Sequence, residues 1–141
     1  MNKLATLVCW LVGLAISHCA LAQSADSANN LIEPGRTKGS ISISSFNRLL
    51  AERPDAIHLF DVSSAREFGA GSIKGATNIP INQLEKKMAS LPSDKPIIFF
   101  CTTGGRASEA YDTTRLLRPE LVVHFLDAQV QMRPDGTPNI K

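Results

Sequence analysis

Several kinds of residue are scarce in this 141-residue chain, and each scarcity excludes a class of protein. Lys and Arg number 15 against 13 Asp and Glu, without a basic stripe or an acidic block, so nothing predicts a nucleic-acid partner. The histidines are His18, His58 and His124, and the last two lie in apolar segments typical of a core or an edge strand. We therefore expect no metal and no organic cofactor.

The chain also lacks an apolar run long enough to cross a bilayer. Its most apolar stretch, residues 4–16, follows Lys3 and falls short of the ~20 residues that a membrane-spanning helix needs. Small residues at Ala20 and Ala22 then match a signal peptidase site. We predict a signal peptide over 1–22, a periplasmic or secreted bacterial protein, and no stable membrane anchoring after cleavage. An uncleaved anchor is the alternative.

Cysteine is scarce as well, which excludes a disulfide framework. Cys9 and Cys19 leave with the predicted signal, so the exported protein would carry Cys101 alone and could form no internal disulfide. An unpaired thiol in an oxidising compartment is most simply explained if it is used. The alternative is a buried structural cysteine that behaves as a small apolar residue.

The sequence around Cys101 favours use of the thiol. It follows the apolar run 97–100 and opens a glycine-rich loop, residues 102–106, that leads into a helix. Free backbone N–H groups and the positive end of a helix dipole favour thiolate over thiol, and thiolate is the nucleophile. The pattern predicts sulfur chemistry at a thiol that is reachable from solvent.

The remaining pattern predicts one α/β domain. Polar residues 23–39 are typical of a flexible linker, and the domain should cover 40–141, with an atypical C-terminal extension from about 127. Strand patterns near 41–43, 56–60, 97–100 and 121–126 alternate with helical patterns near 46–50, 65–68, 82–91 and 105–117. Strands that are apolar on both faces predict an open, mainly parallel central sheet flanked by helices on both faces. Ligands of such sheets bind beyond the carboxyl ends of the strands, where Cys101 lies.

Four motifs resemble those of single-domain rhodaneses, the thiosulfate sulfurtransferase-like family. They are Leu-Phe-Asp-Val with a later Glu-Phe (59–62 and 67–68), Gly-Ser-Ile-Lys-Gly-Ala (71–76), Asn-Ile-Pro (78–80) and the loop that starts at Cys101. They occur in the family's order over about residues 41–126. The resemblance implies a sulfurtransferase with a rhodanese-like fold, a small anionic sulfur donor, a thiophilic acceptor and, in some cases, a protein acceptor of sulfur.

The resemblance also implies roles for particular residues. Cys101 would be the catalytic nucleophile that becomes a persulfide, and Arg106, at the end of the loop, would pair with an anionic donor. The substrate-binding loop comprises Thr102, Thr103, Gly104, Gly105 and Arg106, whose N–H groups would surround the sulfur. Asp61 would support the loop. Cysteine-dependent phosphatases place Arg six positions after Cys, but that position holds Ala107, so a phosphatase or arsenate reductase is the weaker interpretation.

Some positions depart from the family pattern. Ser63 and Ser72 stand where Arg and His are usual, and residues 127–141 lack the usual Gly-Gly and Trp. That last segment instead predicts an extended stretch and a tight turn. A second class of function therefore stays open: a rhodanese-like binding module, or a carrier of sulfur or a related chalcogen, that acts with a partner protein and without efficient turnover.

Overall fold

A computed structural model describes residues 28–141, which fold around a parallel sheet. The strands are β1 (Ser40–Ile41), β2 (His58–Asp61), β3 (Thr77–Asn78), β4 (Ile97–Phe100), β5 (Val123–Leu126), β6 (Val130–Met132) and β7 (Pro138–Ile140). The α-helices are α1 (Ile43–Glu52), α2 (Ala65–Ala70), α3 (Leu84–Lys87) and α4 (Gly105–Leu117). Short 3-10 turns lie at Pro54–Ala56, Ile81–Gln83 and Met88–Ser90.

The main sheet has the strand order β1-β5-β4-β2-β3, and every pairing in it is parallel. Strand β4 lies at its centre and is buried along its whole length. Successive side chains of a strand point to opposite faces, so Ile97 and Phe99 contribute to one core and Ile98 and Phe100 to the other. Because the site follows β4, it stands on the most deeply buried strand.

Helices cover both faces of the sheet. On one face α3 and α4 pack through small and apolar side chains that include Leu84, Ala107 and Ala110. On the other face α1 packs through Phe46 and Leu49, which are fully buried. This arrangement confirms the predicted α/β class with helices on both faces.

Element boundaries agree best where the apolar pattern is strongest. Strand β4 and helix α4 begin and end where the sequence predicts. Helix α1 begins before the predicted start near residue 46, because the Ser42 hydroxyl accepts the capping hydrogen bond from the Ser45 amide. Helix α3 is one turn flanked by 3-10 turns, so the helix predicted near 82–91 is divided into three pieces.

The segment before β1 contacts the domain more closely than the linker prediction implies. Ala28 is fully buried, and the Ser42 amide donates to the Glu33 carbonyl at 2.9 Å. Residues 28–39 are therefore packed on the domain, and packing begins before the expected boundary at residue 40. The predicted signal peptide, 1–22, lies outside the described residues, as do residues 23–27 of the predicted linker.

The segment after β5 forms an antiparallel hairpin of β6 and β7, which we call the C-terminal hairpin (Val130–Ile140). Val130 pairs with Ile140, and the turn is closed by a hydrogen bond from the Arg133 amide to the Thr137 carbonyl. The sequence predicted an extended stretch and a turn here but not a paired hairpin. Strand β7 carries Pro138, which an edge strand tolerates because its N–H side needs no partner.

Candidate functional site

Cys101 directly follows β4 and lies at the carboxyl edge of the sheet, as the sequence predicts. Its side chain is 1% exposed and belongs to the core cluster on the α4 face. The sequence predicted a thiol reachable from solvent, and the structure corrects this expectation. Cys101 is buried among the apolar side chains of that cluster, and the cleft that it lines is also lined by Val130 and Met132 of the C-terminal hairpin.

The loop after Cys101 aims a backbone donor at the sulfur. The Gly104 N–H donates to Cys101 Sγ over 3.2 Å, and Gly104 is also the N-cap of α4. Gly104 has φ +87°, a conformation that side chains with a Cβ resist, so glycine is needed for the loop to turn its amide inward. The sulfur thus accepts from a peptide group at the positive end of a helix of 13 residues.

Arg106 is held by a carboxylate within the same molecule. Its guanidinium donates to both carboxylate oxygens of Glu67, at 2.7 and 2.8 Å, and to Thr102 Oγ1 at 3.0 Å. The Glu67 carboxylate is the main reason why the pKa of Arg106 is raised, and a Cys101 thiolate adds a smaller effect in the same direction. Arg106 therefore lies near the sulfur, but its two-pronged contact is with Glu67.

Glu67 also shapes the start of α2. Its carboxylate accepts from the Ser64 amide at 2.9 Å, and its own amide donates to Ser64 Oγ at 3.3 Å, which together form a capping box. Hydrogen bonds from Arg106 and then Ser64 hold the pKa of Glu67 well below the ordinary carboxyl value. The ion pair between Arg106 and Glu67 joins the N-terminus of α2 to the loop that begins at Cys101.

Asp61, the last residue of β2, is oriented by the two serines that depart from the family pattern. Its carboxylate accepts from the Ser63 amide at 2.9 Å and from Ser72 Oγ at 2.6 Å. Asp61 is 4% exposed, so both hydrogen bonds matter for a carboxylate that has little contact with water. Asn78 donates to the Asp61 carbonyl at 2.8 Å and further fixes this end of β2.

A small cleft lies beside the sulfur. It has a volume of about 20 Å³, which is close to the space that one water molecule requires. The residues that line it are Asp61, Ser63, Glu67, Gly71, Ser72, Phe100, Cys101, Thr102, Val130 and Met132. The described chain thus gives Cys101 a narrow neighbouring space with polar groups on one side and hairpin side chains on the other.

The predicted loop residues take different positions in the structure. Cys101, Thr102 and Asp61 line the cleft, and Gly104 donates its N–H to the sulfur. Thr103 and Gly105 are exposed, and Arg106 lies in a separate outer groove beside Ser64 and Pro80.

Residues 28–141 hold neither a cluster of metal-binding side chains nor a helix suited to a membrane. No three His, Cys, Asp or Glu side chains lie close enough together to hold a metal ion. Within the same range, no helix combines the length and the apolar character that spanning a bilayer would require.

Sequence reasoning did not select several residues that line the cleft. Glu67 carries a sequence signal, because Ser64 followed three positions later by Glu67 is a capping-box pattern. The C-terminal hairpin carries only a weak sequence signal, because the alternation along Val130, Gln131 and Met132 places Val130 and Met132 on the same face of the strand. The sequence does not show that this face is directed toward the cleft beside Cys101, because that depends on how the chain folds.

Comparison with known proteins shows the family to which the chain belongs. The family described as the rhodanese-like domain matches residues 42–128. The human thiosulfate:glutathione sulfurtransferase is 33% identical over 92 residues, which cover 55% of this chain and 78% of that protein. Uncharacterized protein YqhL of Bacillus subtilis is 39% identical over 57 residues, which cover 40% of this chain and 45% of that protein.

A solved structure shows the same fold. The human single-domain sulfurtransferase TSTD1 superposes with a TM-score of 0.56 at 28% identity, covering 64% of this chain and 90% of that one. The α/β fold of this chain is thus shared with a sulfurtransferase. This chain belongs to the rhodanese-like family, and it has sulfurtransferases among its relatives. The C-terminal hairpin lies beyond the matched residues.

Proposed function

We propose that the protein is a sulfurtransferase, which moves a sulfane sulfur from thiosulfate or a similar donor to a thiophilic acceptor through a persulfide on Cys101. The observation that carries this proposal is the Gly104 N–H directed at Cys101 Sγ at the N-terminus of α4. A donor in that position stabilises negative charge on sulfur. The cleft of about 20 Å³ beside the sulfur is suited to one additional atom.

The proposed reaction has two half-reactions. In the first, the Cys101 thiolate attacks the outer sulfur of thiosulfate, the S–S bond of the donor breaks, and sulfite leaves with the electron pair. In the second, a nucleophile such as cyanide or a thiolate attacks the outer sulfur of the persulfide and restores the Cys101 thiolate. Sulfur oxidation states balance without an external oxidant, and neither half-reaction calls for a metal or an organic cofactor.

The geometry favours sulfur transfer over phosphate chemistry. A phosphatase loop needs a guanidinium free to hold a tetrahedral dianion, whereas Arg106 donates to both oxygens of Glu67. The next position holds Ala107, which is fully buried.

A carrier or binding module is the second candidate, and the burial of Cys101 favours it. A sulfur that is 1% exposed can hold a transferred atom well but meets acceptors slowly. In that case a partner protein, rather than a small molecule, would receive the sulfur. We also propose that the protein acts after export, on the basis of the signal-like N-terminal sequence.

Two measurements on the full chain test the proposal. Intact mass and peptide mapping after incubation with thiosulfate should show one added sulfur on the peptide that contains Cys101, and Cys101→Ser should abolish it. Thiocyanate release with cyanide as acceptor then separates the candidates, because a carrier forms the persulfide but turns over poorly. Sulfur addition that persists in Cys101→Ser would refute the assigned nucleophile.

A further inference from the structure

The C-terminal hairpin provides part of the cleft although it lies outside the family-matched residues 42–128. Val130 and Met132 line the cleft together with Cys101. Because side chains alternate along a strand, these two share one face of β6, and Gln131 between them is exposed on the other. A segment outside the family-matched residues therefore contributes to the surroundings of the sulfur.

The hairpin is firmly attached above the loop. The Val130 amide donates to the Thr102 carbonyl at 3.0 Å, so β6 is bonded to the residue that follows Cys101. Gln129 and Lys141 exchange two backbone hydrogen bonds at 2.9 and 3.0 Å at the open end of the hairpin. Ile140 packs against the core on the α1 side of the sheet.

The two side chains over the cleft differ in how freely they can move. Val130 is 7% exposed, is β-branched and is fixed by its backbone contact with Thr102. Met132 is only partly buried, and its unbranched side chain has several rotatable bonds. Its Cβ and Cγ lie beside Gly71, which has no side chain to hold them. Met132 is thus the movable part of the cover.

The cleft volume sets what can enter while Met132 stays in place. About 20 Å³ holds a single water-sized group, so the transferred sulfur fits but the body of a donor does not. Met132 is one of the side chains that narrow this cleft, so we expect a donor with a bulkier group behind its outer sulfur to require a larger displacement of Met132. The cost of reaching the thiolate therefore rises with donor size.

We propose that Met132 determines donor specificity by size, and that the site accepts sulfane-sulfur donors with a slender group behind the transferable sulfur. This inference rests on the proposed sulfur transfer at Cys101. It assigns selectivity to a residue outside the family-matched segment. In this proposal Met132 acts by occupying space in the cleft that it lines together with Cys101 and Glu67.

The test uses two thiol-reactive reagents that differ only in size, so that it measures access to Cys101 without requiring turnover. Methyl and benzyl methanethiosulfonate react with a thiolate at the same kind of sulfur and release the same leaving group. Peptide mapping gives the rate of modification at Cys101 in the full chain for each reagent. The benzyl-to-methyl rate ratio is the measured quantity.

Met132→Ala should raise that ratio by about tenfold or more, which is the discrimination that a few methylene groups provide. Met132→Phe should lower the benzyl-to-methyl rate ratio. This second variant keeps the test decisive if alanine at residue 132 loosens the hairpin. Gln131→Ala is the matched control, because this neighbour points away from the cleft and should leave the ratio unchanged. Equal acceleration of both reagents in Met132→Ala, or an unchanged ratio in both Met132 variants, would overturn the proposal.

A second measurement separates this inference from the proposed function. The ratio of kcat/KM for benzenethiosulfonate to kcat/KM for thiosulfate should change in the Met132 variants in the same direction as the benzyl-to-methyl ratio of modification rates. If the variants change the modification ratio while no protein transfers sulfur from either donor, Met132 controls access but the proposed function fails. If transfer occurs and donor preference is identical in wild type and Met132→Ala, the specificity proposal fails alone.

Discussion

Two adjacent glycines in the Cys101 loop should respond oppositely to the same substitution. Gly104 has φ +87° and ψ −31°, outside the conformations that alanine adopts readily. A Cβ added there would lie 3.1 Å from Asp127 Oδ1 and 3.3 Å from the Ala128 amide nitrogen. Asp127 cannot withdraw freely, because its other carboxylate oxygen accepts from Thr37 Oγ1 at 3.1 Å.

The expected size of the effect follows from these constraints. A non-glycine residue in such a conformation costs roughly 1–3 kcal/mol. The smaller backbone entropy of alanine in the unfolded chain offsets roughly 0.4–1 kcal/mol of that. Gly104→Ala should therefore lower the free energy of unfolding by about 1–2 kcal/mol, and Tm by about 4–8 °C for a domain near 100 residues.

Gly105 is the matched control for stability. It is the first residue of α4, its φ is not positive, and nothing lies within 4 Å of an added Cβ. Gly105→Ala should leave stability unchanged or raise it by up to about 1 kcal/mol, because alanine loses less backbone entropy on entering a helix. Thermal unfolding by circular dichroism compares the two variants directly.

The same substitution should impair the chemistry at Cys101. Relaxing the strain at residue 104 turns its N–H away from the sulfur, and a hydrogen bond to a charged group contributes about 1.5–3 kcal/mol. Persulfide formation in folded Gly104→Ala should therefore slow by about tenfold or more. A variant that unfolds at the wild-type temperature and reacts at the wild-type rate would refute the proposed loop conformation and its role.

Three further predictions concern the charged and capping groups around the loop. Arg106→Ala should raise KM for thiosulfate, because the negative charge of Glu67 then lines the cleft without the positive charge of Arg106 beside it. Adding Glu67→Gln to that variant should partly reverse the increase. Equal KM values in wild type and both variants would contradict this prediction. The lowered pKa of Glu67 means that its stabilising contribution is complete above the ordinary carboxyl pKa of 4.5 and is lost as pH falls further. The difference in unfolding free energy between wild type and Glu67→Gln should thus be constant from pH 6 to 8 and shrink below about pH 4, as acid-dependent denaturant titrations can measure. Ser64→Ala should cost about 1 kcal/mol by removing the α2 cap, whereas Ser44→Ala, outside that cap, should cost less in the same titrations.

Much of the fold could be predicted because its signals are local. The apolar run of β4 and the helix after it have the periods of a buried strand and an α-helix, and both boundaries were predicted correctly. Cys101 at the end of that strand followed from the same signals. Helix α3 was less predictable, since its turn-like ends come from packing between elements and not from the spacing of its apolar residues.

The partner of Arg106 shows the limit of local reasoning. The resemblance implies that Arg106 pairs with an anionic donor, and the structure adds a partner that the sequence did not indicate, Glu67, 39 residues earlier in the chain. Residues 28–39 illustrate the same limit, because their polar composition predicts a linker and yet they lie against α1. Such contacts join segments far apart in sequence, so no local period indicates them.

The sequence itself determined the positions of β4 and α4, the thiol at the end of β4 and the need for glycine at residue 104, through hydrophobic period and backbone sterics. Tertiary structure alone decided how the thiol is surrounded. Folding places Val130 and Met132 of β6 in the lining of the cleft beside Cys101, sets Met132 beside Gly71 and leaves a cleft of about 20 Å³. These outcomes depend on distances between segments that are far apart in sequence. Such distances are set only when both faces of the sheet are packed.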